Sequence, residues 1–413
     1  MRRERRIGLV LSGGGIRAMV FHAGVLREMA EHGELEQVVQ ISTVSGGSLV
    51  AGLIMQLAGG QWPSSLDYLN HVGPQLTSLL TRHRTPLRRA LWWLCKGRPT
   101  KARASLQQSL APQDVVWTAI RELVKRPWLI RSRPHCLAAA YRRCWGVTDL
   151  LGSLPTKPTW SINGTTAEYG VRFRFKRDDM GDYELGYALS GQFPLAEAMA
   201  VSSAVPGIIG PLRLPTPNGK WFKWKANLVD AIADGSAVPK LPKFDSVKLY
   251  DGGVYDNLGL EPFFDCGSQL PKLSDVDYLV VSDAGKPFTP GKTGWFSAMR
   301  MFDIASEQTR ALRVRAFVNH LKGGVGRGQY LQIGTDPFKF LAKYAPGADE
   351  SGLKLSSEER RAAKDYPTRL RRMPEADFKR VEQHGYETAL VNRRAFSWQE
   401  VVATHPADIP NII

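Results

Sequence analysis

The chain opens with a short apolar run, Ile7-Gly8-Leu9-Val10-Leu11, that stops at Gly13-Gly14-Gly15 and is followed by Val20, Val25, Leu26 and Met29 at helical spacing. This pattern predicts a strand, a glycine turn and a helix. The same unit then repeats. Val38 to Val44 is β-branched and strand-like, Ser45-Gly46-Gly47 is a turn, and Ser48 to Leu57 is small and apolar enough for a buried helix. Two βα units in succession predict an α/β fold, with a parallel sheet carrying helices on its faces.

From about 62 to 158 the pattern turns mostly helical, rich in Arg and Trp, and is broken by Pro86, Pro99, Pro112, Pro127 and Pro134. It reads as an insertion or cap. Strands resume at Thr159-Trp160-Ser161-Ile162-Asn163 and at the alternating Val171-Arg172-Phe173-Arg174-Phe175, and continue through Val247-Lys248-Leu249-Tyr250 and Tyr278-Leu279-Val280-Val281-Ser282. After Phe296 a helix is expected through Ile304, Leu312 and Val318, and a second near 375–389, with Pro374 in its first turn. The 413 residues are thus expected to form a single domain, 1–413, with an insertion at about 62–158 and C-terminal helices at about 296–400.

Composition adds constraints on setting. Four cysteines, Cys95, Cys136, Cys144 and Cys266, show no metal-ligand spacing, and their number fits a reducing, cytoplasmic compartment. The basic start Met1-Arg2-Arg3-Glu4-Arg5-Arg6 is followed by too short an apolar run for an export signal. No uncharged stretch of about twenty apolar residues is present, so membrane contact is expected to be peripheral. The formal net charge is +16, and the excess is concentrated: between Arg82 and Arg143 stand 15 Lys or Arg against two acids, Asp114 and Glu122. Such a patch attracts polyanions, whether an anionic lipid surface, nucleic acid or a nucleotide.

Candidate chemistry lies at the two glycine turns and one later one. Ser45, in Ile41-Ser42-Thr43-Val44-Ser45-Gly46-Gly47-Ser48, has the context of a nucleophile elbow, where a sharp strand-to-helix turn projects the hydroxyl above the sheet. Thr43 replaces the first glycine of the usual pattern. Ser42 and Ser48 compete for the role, but one should lie within the strand and the other inside the helix. Gly13-Gly14-Gly15-Ile16-Arg17-Ala18 opens the first helix, where backbone N–H groups can meet an oxyanion or a phosphate and Arg17 adds charge. Dinucleotide and Walker patterns both fail there, the first because position 18 is Ala. Asp251-Gly252-Gly253 puts a carboxylate at a glycine-rich strand end, able to take a serine proton. It also fits a plain Asp-Gly turn. A Ser…Asp…His triad would draw on His320, His384 or His405, none in a strand-end or glycine-turn context, so a Ser-Asp dyad is preferred.

Taken in order, Gly13-Gly14-Gly15-Ile16-Arg17-Ala18, Val44-Ser45-Gly46-Gly47-Ser48 and Asp251-Gly252-Gly253 resemble the patatin-like phospholipase family. Phe21-His22-Ala23-Gly24-Val25-Leu26, Ser202-Ser203-Ala204-Val205-Pro206-Gly207 and Val254-Tyr255-Asp256-Asn257-Leu258-Gly259 are similar to it too. The resemblance implies a three-layer α/β/α fold with a central, mainly parallel sheet, and hydrolysis of acyl esters in phospholipids or other lipids through a histidine-free Ser-Asp dyad. It makes Ser45 the nucleophile and Asp251 the base, with Gly13, Gly14, Gly15, Arg17 and Gly46 around the oxyanion. No metal or cofactor is called for. Some bacterial members answer to cyclic nucleotides in antiphage defence, which makes such an activator a candidate ligand.

A lipid hydrolase must also meet an interface. Leu87-Arg88-Arg89-Ala90-Leu91-Trp92-Trp93-Leu94 mixes arginines with apolar side chains as a docking segment on anionic membrane would, although it fits a core-packed helix equally. Two other readings remain: a basic membrane- or nucleic-acid-binding protein without catalysis, against which stands the lack of any nucleic-acid module, and an acyltransferase using the same dyad.

Overall fold

The computed structural model describes residues 5–82, 114–125, 133–272, 275–285, 297–323 and 326–396. The two βα units form as expected: β1 (Ile7–Leu11), α1 (Gly15–Glu31), β2 (Val38–Thr43) and α2 (Gly46–Leu57). Three helices follow from the basic segment, α3 (Gly73–Leu80), α4 (Val115–Lys125) and α5 (Arg133–Trp145). Next come β3 (Thr159–Thr166), β4 (Val171–Phe175), β5 (Asp179–Asp182), β6 (Gly186–Leu189), α6 (Leu195–Ser202), β7 (Leu212–Pro215) and β8 (Ser246–Asp251). The chain closes with β9 (Tyr278–Asp283), α7 (Ser297–Lys322), β10 (Gly328–Gln332), α8 (Pro337–Tyr344), α9 (Ser357–Lys364) and α10 (Glu375–Ala395).

Ten strands form one sheet in the order β10-β9-β1-β2-β3-β4-β5-β6, with β8 pairing to β3 and β7 to β8. From β10 to β3 every pairing is parallel. Beyond β3 the pairings are antiparallel. All five residues of β1 are buried, as a strand covered on both faces requires, and so it reads as continuous apolar sequence. Short β5, β6, β7 and β10 contain polar or glycine positions and carry little pattern to find.

One junction in this sheet decides where the site forms. The first half of β3 pairs with β2, Thr43 lying opposite Ile162. β2 then ends, and its place beside β3 is taken by β8 running the other way, with Asp251 opposite Gly164. Two strands thus meet end to end along one edge of β3, and the turns that follow them face each other.

α1 is buried nearly all round because α10 crosses it at glycine contacts. A methyl group on Gly24 would sit 1.8 Å from the Glu382 carbonyl oxygen, and one on Gly385 would sit 2.1 Å from that of Phe21. Arg393 of α10 pairs with Glu28 at 2.5 Å and with Glu34 at 2.7 Å, closing the crossing. Two sequence expectations shift here. Pro374 precedes α10 as its cap residue and is outside the first turn. In α7, Ile304 and Leu312 are exposed, whereas Arg310, Ala316, Phe317 and Val318 are buried; Phe317 meets Phe264 edge to face. Among the described residues no helix is long and apolar enough to cross a membrane.

Candidate active site

Ser45 sits between β2 and α2 with φ 49° and ψ −117°. A side chain at that backbone geometry is strained, and the strain persists only where neighbours impose it. They do so here. The Ser45 N–H donates to both the carbonyl and the hydroxyl oxygen of Ser202, each at 3.0 Å. The Gly47 N–H donates to Ser12 at 3.2 Å, and the Val44 N–H to Leu11 at 3.1 Å. Gly46 and Gly47 are required by space: a methyl group would lie 2.4 Å from the Gly15 oxygen at the first and 2.2 Å from the Leu11 oxygen at the second.

A buried chain of hydroxyls backs this turn. Trp160 Nε1 can only donate, and does so to Thr43 Oγ1 at 2.9 Å; the Asn163 carbonyl can only accept, and takes the Ser202 hydroxyl at 2.7 Å. With its ends fixed, the chain runs Thr43 to Ser48 at 2.8 Å and Ser48 to Ser202 at 2.8 Å. The threonine where an elbow usually has glycine is therefore a link in the support of Ser45. Ser48 is bound into this chain. Ser42 donates to the Gly259 carbonyl at 2.6 Å and accepts from Asn163 Nδ2, so both competing serines are fixed inside.

Asp251 lies at the end of β8, 6 % exposed. Its Oδ1 accepts the Gly253 N–H at 2.7 Å, and the Ser45 side chain lies near enough to its carboxylate to favour the charged form. Burial pushes its pKa up to about 7, against the opposing pull of the Gly253 N–H and the Ser45 side chain. A carboxyl group so poised holds and releases a proton near neutrality.

The glycine loop lies against the elbow: a methyl group on Gly13 would be 3.2 Å from Ser45 Cβ. Gly14 and Gly15 have φ of 145° and 60°, conformations that favour glycine. The loop's donors are not all available. The Gly13 N–H goes to the Asn257 carbonyl at 3.0 Å and that of Ile16 to the Arg369 carbonyl at 2.7 Å. Among the described residues, no partner takes the N–H groups of Gly14, Gly15 and Gly46. Arg17 departs from its expected part. Its guanidinium is fully buried and donates to Tyr366 O at 2.8 Å and Ala284 O at 3.0 Å, so it secures the loop and presents no charge to the space above Ser45.

Other side chains support the site in ways that the sequence pattern does not reveal. His22 is buried, and burial lowers its pKa to about 4, so the ring is neutral. Its Nε2 donates to Ser12 O at 3.0 Å, the oxygen that also takes the Gly47 N–H, while Nδ1 lies 2.7 Å from Ser282 Oγ. Asn163 reaches Ser42 and Thr43 on one side, and its carbonyl packs against Gly252, where a methyl group would approach to 2.5 Å. It joins the serine turn to the carboxylate turn. Of the other histidines considered, His320 packs against Phe264 and Phe317 and lines a separate cavity with Phe263, Asp277 and Arg327. His384 bonds Ile333 O at 2.7 Å in the interior. His405 lies outside the described residues.

Above Ser45 opens a cavity of about 380 Å³. Its walls are mostly apolar, with Val116, Ile120 and Leu123 from α4, Leu137 from α5 and Ile209 after α6. The basic segment, the part of the sequence least readable for chemistry, thus supplies much of the wall. The segment Leu87–Leu94, with Trp92 and Trp93, falls outside the described residues. Among the described residues no cluster of side chains could hold a metal ion.

Among solved structures, the chain is similar to human GIVD cytosolic phospholipase A2, at 14 % identity over 96 % of this chain and 64 % of that one, with a TM-score of 0.49. It is also similar to VipD from Legionella pneumophila, at 13 % identity over 95 % of this chain and 67 % of that one, TM-score 0.36. A third is the ExoU–SpcU complex from the type III secretion system of Pseudomonas aeruginosa, at 15 % identity over 78 % of this chain and 52 % of that one, TM-score 0.25. The chain thus spans just under two thirds of the human enzyme. No curated protein matches it. The family model described as "Patatin-like phospholipase" matches residues 9–264, a span holding the glycine loop, the strained serine turn and the carboxylate that faces it, and the chain belongs to that family.

Proposed function

We propose that the protein is a serine acyl hydrolase of lipids that works through Ser45 and Asp251 without histidine. The observation that carries this reading is the strained turn that presents Ser45 to an apolar cavity beside the carboxylate of Asp251, which burial holds near neutrality. Asp251 takes the hydroxyl proton as Ser45 Oγ bonds to the ester carbon. The resulting oxyanion is met by N–H groups of Gly14, Gly15 and Gly46, stabilisation that typically contributes ~10²–10³ in rate per donor. Collapse breaks the ester C–O bond, and Asp251 returns the proton to the departing alcohol. Water then attacks the acyl-enzyme, giving its proton to Asp251, and the fatty acid leaves as Ser45 regains its own.

The cavity suits an acyl chain, and its mouth suits a bilayer. Ile208, which lines the cavity, and Val124, which follows the lining residue Leu123 on α4, are 62 % and 74 % exposed, on a basic chain. Peripheral docking on an anionic membrane, on its cytoplasmic face, follows as part of the same reading. Vesicle sedimentation tests this: a Val124→Ser, Ile208→Ser variant is expected to lose binding, and retained binding contradicts it. Control by a nucleotide is a separate proposal drawn from family resemblance. Stimulation of ester hydrolysis by a cyclic oligonucleotide supports it, and a full panel without effect removes it.

Lipid mass spectrometry after incubation with mixed phospholipids tests the main reading. Wild type is expected to release fatty acid and lysolipid, and Ser45→Ala and Asp251→Asn to release neither. Fatty acid release by Ser45→Ala at the wild-type rate contradicts it. Acyl chains transferred to an acceptor other than water would assign the same site to an acyltransferase.

A further inference from the structure

The cavity over Ser45 holds two cations that the chemistry above does not use, Arg133 and Arg369. Arg369 lies in the stretch between α9 and α10, beyond the part of the chain that the family model matches. Its backbone is fastened to the glycine loop. The Arg369 carbonyl takes the Ile16 N–H, and a methyl group on Gly15 would lie 2.6 Å from that oxygen. Its guanidinium stacks over the Tyr366 ring, 5.0 Å from the centroid, and donates to the Tyr366 hydroxyl at 2.6 Å. Arg133 opens α5 from the other wall and donates to the Gly210 carbonyl at 3.2 Å, next to Ile208 and Ile209 of the cavity.

Neither guanidinium has a carboxylate partner among the described residues. Their neighbours in sequence do: Arg142 pairs with Glu197, Arg143 with Glu122 and Arg380 with Asp377. Two cationic residues without a carboxylate partner, Arg133 partly buried and Arg369 exposed, among the mostly apolar residues of this cavity suit a ligand with an apolar chain and an anionic head. Guanidinium matches the oxygens of a phosphate by forked hydrogen bonding. In a glycerophospholipid, the phosphate stands a few bonds from the acyl ester, as a cation fixed beside the glycine loop requires.

We propose that Arg133 and Arg369 bind the phosphate of the lipid being cleaved, and so set specificity for glycerophospholipids over neutral glycerides. This rests on the hydrolase reading of the same site. The pair acts on the monomeric lipid within the cavity, independently of any attraction between the protein and a charged surface.

The test uses a short-chain phosphatidylglycerol below its micellar concentration, the diacylglycerol with the same acyl chains, and p-nitrophenyl butyrate. Arg133→Gln and Arg369→Gln are each expected to lower kcat/KM for the phospholipid about tenfold or more, mainly through KM, and to leave the two neutral esters within twofold. Arg369→Lys should recover part of the loss. Calorimetry on Ser45→Ala keeps the question separate from turnover: the short phospholipid is expected to bind more tightly than its diacylglycerol, and the added Arg369→Gln change to erase the difference. Equal losses on all three esters, or an unchanged binding preference, would overturn the proposal. Competition by millimolar inorganic phosphate as strong as that by the phospholipid would assign the pair to free phosphate and overturn the headgroup assignment. Failure of the wild type to cleave any of the three esters, with the binding preference intact, would sink the hydrolase reading and leave the phosphate site standing.

Discussion

At the scale of residues, the site depends on one buried acid. Asp251 has a folded pKa of about 7 against an ordinary value of 3.8, raised by burial. As a base it must be ionised, so kcat/KM is expected to fall about tenfold per pH unit below 7 and to level off above it, in a pH–rate profile on a soluble ester. A profile flat down to pH 5 contradicts this. The same shift acts on stability. Because the folded state holds this proton more tightly, the stability it contributes is complete below pH 3.8 and lost as pH rises to about 7. Asp251→Asn is therefore expected to melt above wild type at pH 8, with a gap that closes toward pH 4 in calorimetric scans. Ser45 was legible from its strand, turn and glycine context, whereas Ser202 stood only within a family-like segment, with no sign that it holds the Ser45 N–H. Nothing local distinguishes a serine at a helix end from any other; its partners come from β2, α2 and β3. Ser202→Ala is expected to lower kcat about tenfold, by loosening a bond of about 1–2 kcal/mol, with KM little changed. A KM effect alone would give Ser202 another part.

At the scale of elements, β1 was readable because it is buried on both faces and hence uniformly apolar, and β2 and β8 from short β-branched or alternating runs. Their arrangement was not. β2 and β8 are distant in sequence and meet only because both pair with β3, a relation fixed by sheet register. The same limit applies to α4, whose polar and apolar positions gave a helix but no hint that its apolar side faces Ser45. Arg17 shows the converse: its motif suggested a charge for the anion, and its guanidinium instead caps two carbonyls. The contact of α1 with α10 depends on backbone approach at Gly24 and Gly385. Gly385→Ala is expected to cost about 1–3 kcal/mol through overpacking, seen as a lower denaturant midpoint with unchanged slope. An unchanged midpoint would mean that the helices can part without cost.

At the scale of the molecule, the family-matched span supplies Ser45, Asp251 and the glycine loop, and the remainder closes the site around them. The loop's Ile16 is capped by Arg369, its Arg17 is tied to Tyr366, and α10 covers the helix that begins there. The central claim is that Ser45 attacks and Asp251 takes its proton. Peptide mapping by mass spectrometry after a timed reaction with a fluorophosphonate, run across pH, tests it most directly. The adduct is expected on the peptide containing Ser45, at a rate that rises to a plateau near pH 7 and drops by at least a hundredfold in Asp251→Asn. An adduct on another residue, or labelling of Asp251→Asn at the wild-type rate, would contradict it.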